Sequence, residues 1–193
     1  ILTHASPDGD TLGSAFALYY GLKEIGKVAC VICPDVIPEK YNYFARPTDH
    51  VQRNDATVIA VDVADKKLLG SLQDDFGDIV DLNIDHHISN VRFAKNLYLD
   101  ADAAATAESM YELLSIMKVN INDVTAKALY TGIATDTGCF KYSNVTAKTH
   151  IITAQLYEYN IDAPEINRLM FDTKSRKLLE LERMVLDASE FHF

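Results

Sequence analysis

The sequence predicts an α/β domain, with a mainly parallel sheet and helices on both faces. Three observations carry this reading. Short apolar runs alternate with helical patterns along the chain, the order that sets strands side by side in parallel with helices between them. No linker or internal repeat divides the 193 residues, a length suited to one domain with a closed core. Finally, three acidic clusters each end an apolar run, where an open α/β sheet presents its chemistry.

Taken in order, Ile1 to His4 reads as a strand. A helix follows from about Thr11 to Ile25, because Leu12, Ala15, Phe16, Tyr19 and Leu22 recur on one face. Gly26 suits its C-terminal stop. Lys27 to Cys33, Thr57 to Asp62 and Ile79 to Asp85 are short apolar runs that read as strands, and Phe140 to Tyr142 is a further candidate. A second helix spans Ala103 to Lys118, with Met110, Leu113, Leu114 and Met117 on one face. Asn122 caps a third, Asp123 to Ala134. Thr146 caps a fourth that ends near Asn160, and Asp162 with Pro164 and Glu165 starts a fifth. A sixth runs from about Thr173 to Leu186, with Leu178, Leu179, Leu181 and Val185 expected to be buried.

Composition removes several function classes. The formal net charge is −10, whereas a protein gripping long nucleic acid shows a basic surface. If four aspartates hold two divalent ions, the site returns about +4 and leaves roughly −6. That field still disfavours a long polyanion but admits a short anionic substrate. No stretch approaches the ~20 apolar residues of a membrane span. No signal peptide is legible, since the chain opens mid-pattern with Ile1-Leu2-Thr3. That opening reads as the end of a strand and Ser189 to Phe193 as the start of another, so a fragment of a longer protein is expected. Three cysteines, sparse and odd in number, fit a reducing cytoplasm. Cys30 and Cys33 form a C-x-x-C with no second pair to complete a four-ligand zinc site. Strand alternation puts them on opposite faces, as buried structural residues.

The chemistry lies in four clusters: His4-Ala5-Ser6-Pro7-Asp8-Gly9-Asp10, Asp62-Val63-Ala64-Asp65, Asp85-His86-His87, and Asp136-Thr137-Gly138. Carboxylates with imidazoles suit Mn, Fe, Co or Zn more than Ca. An Asp-x-Asp turn after a strand aims two carboxylates at two metals about 3.5–4 Å apart. His4 supplies an imidazole just before it, and Asp62, at a neighbouring strand end, is placed to bridge. Phosphoryl chemistry uses such a pair, one ion polarising phosphorus while a bridging hydroxide forms at neutral pH. Singly, Asp-Gly-Asp is an ordinary turn and His-His an ordinary surface pair; four such clusters together read as one assembled metal centre. Asp74, Asp75 and Asp78 belong to a polar loop, Asp100 and Asp102 to a helix start, and Glu180 and Glu182 to a solvated helix face.

The order His4-x-x-x-Asp8-x-Asp10, Asp62, Asp85-His86-His87, Asp136-Thr137-Gly138 resembles the DHH phosphoesterase superfamily. Ala104-Ala105-Thr106-Ala107-Glu108 and Thr131 to Gly138 are similar to stretches of the same family. The run Asp136 to Thr146 is most like the nanoRNase and 3′-phosphoadenosine 5′-phosphate phosphatase subfamily, whose members carry a second, DHHA1 domain. The resemblance implies a Rossmann-like catalytic domain over residues 1–187, with 188–193 opening the connection to that second domain.

The resemblance also implies roles. His4 and Asp8 would bind a first metal, and Asp10, His86 and Asp136 a second, with Asp62 bridging. Asp85 would orient an imidazole, and His87 would face the substrate. Asn90 is carried as a substrate-binding or motif-fixing residue, and Thr106 and Glu108 as support. The implied activity is a cytoplasmic, metal-dependent hydrolase of nanoRNA, 3′-phosphoadenosine 5′-phosphate, or dinucleotides from cyclic-di-AMP turnover. Its implied cofactors are two divalent ions, manganese first. No membrane or long duplex partner is expected, and a homo-oligomer is compatible with the sequence. Two alternatives stay open. Family II inorganic pyrophosphatases share the motif order, and Ser175-Arg176-Lys177 matches their phosphate-binding triplet, although here it reads as a helix start. The other is a metal-retaining nucleotide sensor without turnover.

Overall fold

A computed structural model describes residues 1–52 and 56–190; the expected strand start at Phe191 to Phe193 lies outside them. Strand β1 (Ile59–Val61) pairs in parallel with β2 (Leu82–Asp85), and β2 with β3 (Asn96–Leu99). The register sets Val61 beside Ile84 and Asp85 beside Leu99. On the other side of β1, Leu2 forms a parallel bridge to Ala60 and another to Ile32. Leu2 N–H donates to the Ile59 carbonyl at 2.7 Å, and Val61 N–H to the Leu2 carbonyl at 3.0 Å. The spatial order is therefore second, first, third, fourth, fifth in chain order. Such an order reverses between the first and third segments, and the crevice at their carboxyl ends is where open α/β sheets bind ligands. His4 follows the first segment and Asp62 the third.

The expected strands Ile1 to His4 and Lys27 to Cys33 contract to single bridges at Leu2 and Ile32. Val28 is 71% exposed, so that run is not a buried strand. Cys30 and Cys33 are free and half-buried rather than buried, because the ladder does not extend to them. Strand β3 was not expected; it is an edge strand whose residues are exposed and half-buried in alternation. Phe140 to Tyr142 is not a strand. The chain turns there with φ of 55°, 57° and 63° at Gly138, Cys139 and Phe140, a left-handed run that cannot continue a ladder.

Helix α1 (Gly9–Glu24) is buried on nearly every side from Gly9 to Tyr19, where the sequence suggested one apolar face. It lies inside the main core with Val61 and Ile84 of the sheet. The opposite sheet face is covered by Leu69, in a 3₁₀ segment at Lys66–Leu72, and by Phe76 of α2 (Gln73–Phe76), packed with Leu2, Val58, Ala60 and Val80. Helices α3 (Thr106–Ile116) and α4 (Asp123–Asp136) pack on α1, and α5 (Ala147–Leu156) and α6 (Ala163–Asn167) pack on α4. The starts of α4 and α5 follow their caps: Asn122 Oδ1 accepts from Thr125 N–H at 3.0 Å, and Thr146 and Thr149 form a capping box. Asp100 does not cap α3, whose N-cap is Ala105; its Oδ1 accepts from Asp102 N–H at 3.3 Å in the turn before that helix and its Oδ2 takes the Lys148 ammonium at 3.1 Å.

Helix α7 (Arg176–Asp187) forms as expected, but none of its residues is buried. Leu178 is 43% and Val185 57% exposed, and Leu179 and Leu181 are exposed too. The apolar spacing defined a face without defining what packs on it. Among the described residues no helix is long and apolar enough to cross a membrane.

Candidate metal centre

The site is built at the carboxyl ends of the strands. His4 gives its Nδ1 to the Ala5 carbonyl at 2.7 Å, which leaves Nε2 facing Asp8 at 3.7 Å and Asp62 at 3.8 Å. Asp8 is the N-cap of α1, its Oδ1 accepting from Asp10 N–H and Thr11 N–H at 3.0 Å each. Asp10 is buried in the first turn of α1. Asp62 directly follows β1 with φ of 60°. His86 follows β2; its Nδ1 lies 3.1 Å from the Ala103 carbonyl. Its Nε2 lies 3.4 Å from Asp136, 3.8 Å from Asp62 and 3.9 Å from Asp10. Asp136 is the last residue of α4, where an acid opposes the helix dipole.

Next to this patch Asp85 is fully buried. Its Oδ1 accepts from His87 Nδ1 at 2.8 Å, and its Oδ2 accepts from Asn90 Nδ2 at 2.6 Å. The Asn90 amide also reaches Asn83 Oδ1 at 3.2 Å.

Ligand atoms fall within 4.8 Å of one another in three sets: His4, Asp8 and Asp62; Asp10, His86 and Asp136; and Asp62, His86 and His87. The four sequence clusters thus meet at one place. The donors fit a metal. His86 Nε2 is buried and has no hydrogen-bond partner, while its other nitrogen is fixed on a carbonyl. That arrangement aims a lone pair at a ligand position. Ser175-Arg176-Lys177 is not part of the site; Arg176 is exposed and paired with Glu180 at 3.0 Å.

The family model described as DHH family, N-terminal domain, matches residues 1–133. The chain belongs to this family. It is similar to the bifunctional oligoribonuclease and PAP phosphatase NrnA of Thermus thermophilus, 33% identical over 100% of this chain and 59% of that protein. It is also similar to a probable manganese-dependent inorganic pyrophosphatase of Enterococcus faecalis, 25% identical over 94% of this chain and 64% of that one. Among solved structures, an exopolyphosphatase-related protein from Bacteroides fragilis is 26% identical with a TM-score of 0.87, over 100% of this chain and 61% of the other. The chain therefore spans less than two thirds of each. Asp136 lies beyond the matched stretch, yet the fold of this DHH domain brings it to His86.

Electrostatics mark the same patch. Burial pushes the Asp62 carboxyl up to about 7. Burial, with repulsion from Asp62 and Asp136, raises Asp10 well above its ordinary range. Asp136 is raised as well, first by burial. Burial opposes the charge on His4, but Asp8, the Ala5 carbonyl and Asp62 outweigh it and raise the imidazole to about 9. Burial likewise disfavours ionised Asp85, but His87 and Asn90 hold it below the usual range. The DHH domain thus gathers more carboxylate than its own cations balance, and a divalent ion bound there would displace protons, so its binding would weaken as pH falls.

Sequence reasoning gave too little weight to the residues that aim these ligands. Thr106 N–H donates to Asp10 Oδ2 at 2.7 Å and Ala107 N–H to Asp10 Oδ1 at 2.9 Å. At Gly132 a Cβ would lie 2.6 Å from the Ala107 Cβ and 2.9 Å from Asp10 Oδ1. The available signal was the small-residue run Ala103 to Ala107, which lets backbone approach backbone.

Proposed function

We propose that the protein is a metal-dependent phosphoesterase that acts on short oligonucleotides or small nucleotide phosphates. Two divalent ions serve it, with manganese first. The observation that carries this reading is Asp62, whose carboxylate falls in one candidate ligand set with His4 and Asp8 and in another with His86 and His87, beside the buried, unpartnered His86 Nε2. His4 and Asp8 would hold one ion and Asp10, His86 and Asp136 the other, with Asp62 placed between them. When bound, the ions polarise the phosphoryl group and lower the pKa of a water nucleophile.

The chain's own residues orient and balance charge. Asp85 fixes the His87 ring through Nδ1, and its hydrogen bond is the first cause of a His87 pKa of about 9. Held by Asp85, His87 would meet the charge that develops on the phosphoryl and leaving oxygens. Asn90, tied to Asp85 and Asn83, holds this pair in place and is assigned to the motif rather than to the substrate.

The substrate class rests on the NrnA likeness and on the net charge of −10, which favours short anions over long ones. The pyrophosphatase reading ranks behind it, with lower identity and an Arg176 that pairs with Glu180. Residues 1–187 are proposed as the catalytic domain, with grip on the base and ribose supplied by sequence outside this chain. The proposal includes a cytoplasmic location, in keeping with three free cysteines. The test is a panel on the full-length protein with Mn²⁺: short RNA, 3′-phosphoadenosine 5′-phosphate, linear and cyclic dinucleotides, and pyrophosphate. Release of nucleotide is expected. Turnover of pyrophosphate alone, or of nothing, would sink the reading.

A further inference from the structure

Thr106 touches both halves of the site. It is fully buried. Its hydroxyl donates to Asp62 Oδ1 at 2.8 Å while its backbone N–H donates to Asp10 at 2.7 Å. The hydroxyl is not spent on capping: the N-cap of α3 is Ala105, with no side-chain bond. The imidazoles that face the Asp62 carboxylate lie at 3.5 Å and 3.8 Å, beyond good hydrogen-bond length. The Thr106 hydroxyl is thus the short bond that selects how the Asp62 carboxylate is turned. With Oδ1 so held, Oδ2 faces His4 and Oδ1 faces His86 and His87.

We propose that Thr106 is a positioning residue that orients Asp62 and thereby couples the two ion positions. Its action runs through Asp62, whose Oδ2 faces His4 at one proposed ion position and whose Oδ1 faces His86 at the other, so its loss weakens both ions together. The inference rests on the two-ion reading above.

The test is a Mn²⁺ titration of the metal-stripped protein by calorimetry and electron paramagnetic resonance. Thr106→Val and Thr106→Ala remove the hydroxyl and keep the N–H bond to Asp10; Thr106→Ser restores a hydroxyl. Melting of each metal-free variant checks that it folds, and the alanine form serves if the valine form does not. Two bound ions are expected in the wild type. Affinity in the hydroxyl-free variants should fall roughly 10–100-fold at both positions, the scale for groups that orient metal ligands, and serine should recover it. Unchanged affinities without the hydroxyl, loss at one position alone, or no recovery with serine would overturn the assignment. A wild type that binds fewer than two ions would overturn the two-ion reading instead, and the coupling with it.

Discussion

His87 Nδ1 lies 2.8 Å from Asp85 Oδ1, and this bond joins a half-exposed imidazole to a fully buried carboxylate. Each partner changes the other. The bond is the first cause that raises His87 to about 9, ahead of its burial, which works the other way. In the metal-free protein, Asp85→Asn should return the His87 titration, followed by NMR, toward the ordinary imidazole value of about 6.5. The sign for folding follows. The folded value exceeds the unfolded one, so the stabilisation is full below about 6.5 and is lost as pH rises through about 9. A His87 that titrates identically in both proteins would refute the pairing.

The two adjacent histidines should separate by metal content. His86→Ala removes a nitrogen that faces Asp10, Asp62 and Asp136, and elemental analysis should show one ion lost. His87→Ala should keep both ions and lose about 10²–10⁴ in rate, the scale of one acid–base or charge-stabilising group. The reverse pattern would exchange the two roles.

Asp62 sits at φ 60°, where a side chain other than Asn or Asp is strained. Asp62→Gly and Asp62→Ala should both lose metal. In urea denaturation of the metal-free forms, glycine should be the more stable by about 1 kcal/mol, against the usual order, because only glycine adopts this conformation freely. A more stable alanine variant would show that the backbone there relaxes.

Gly132→Ala places a methyl group against Ala107 and the Asp10 carboxylate. Overpacking at such a contact costs about 1–3 kcal/mol. Thermal melting should record that loss, and Mn²⁺ titration should show weaker binding at the Asp10–His86–Asp136 position before the other. Wild-type values in both measurements would mean that α3 and α4 can move apart.

The four acidic and histidine clusters were legible in the sequence because each is local, and the fold brings them to one place. Residue type and spacing mark the clusters, while the choice of His86 over His87 as a ligand came from the resemblance alone. Helix starts were legible for the same reason, since Asn122, Thr146 and Asp162 bond to backbone groups within three residues. What failed was whatever depends on a partner. Strand β3 is an edge with weak alternation, Phe140 to Tyr142 turns left-handed after Gly138, and the apolar face of α7 is exposed.

By itself, then, the sequence determined the α/β class and the clusters of carboxylate and imidazole. The tertiary structure alone decided how those side chains are aimed. The bonds that do so span 44 positions from Thr106 to Asp62 and 96 from Thr106 to Asp10. No local pattern encodes such a pairing. It arises because α1 is buried against both the sheet and α3, and packing brings the start of α3 to the strand ends.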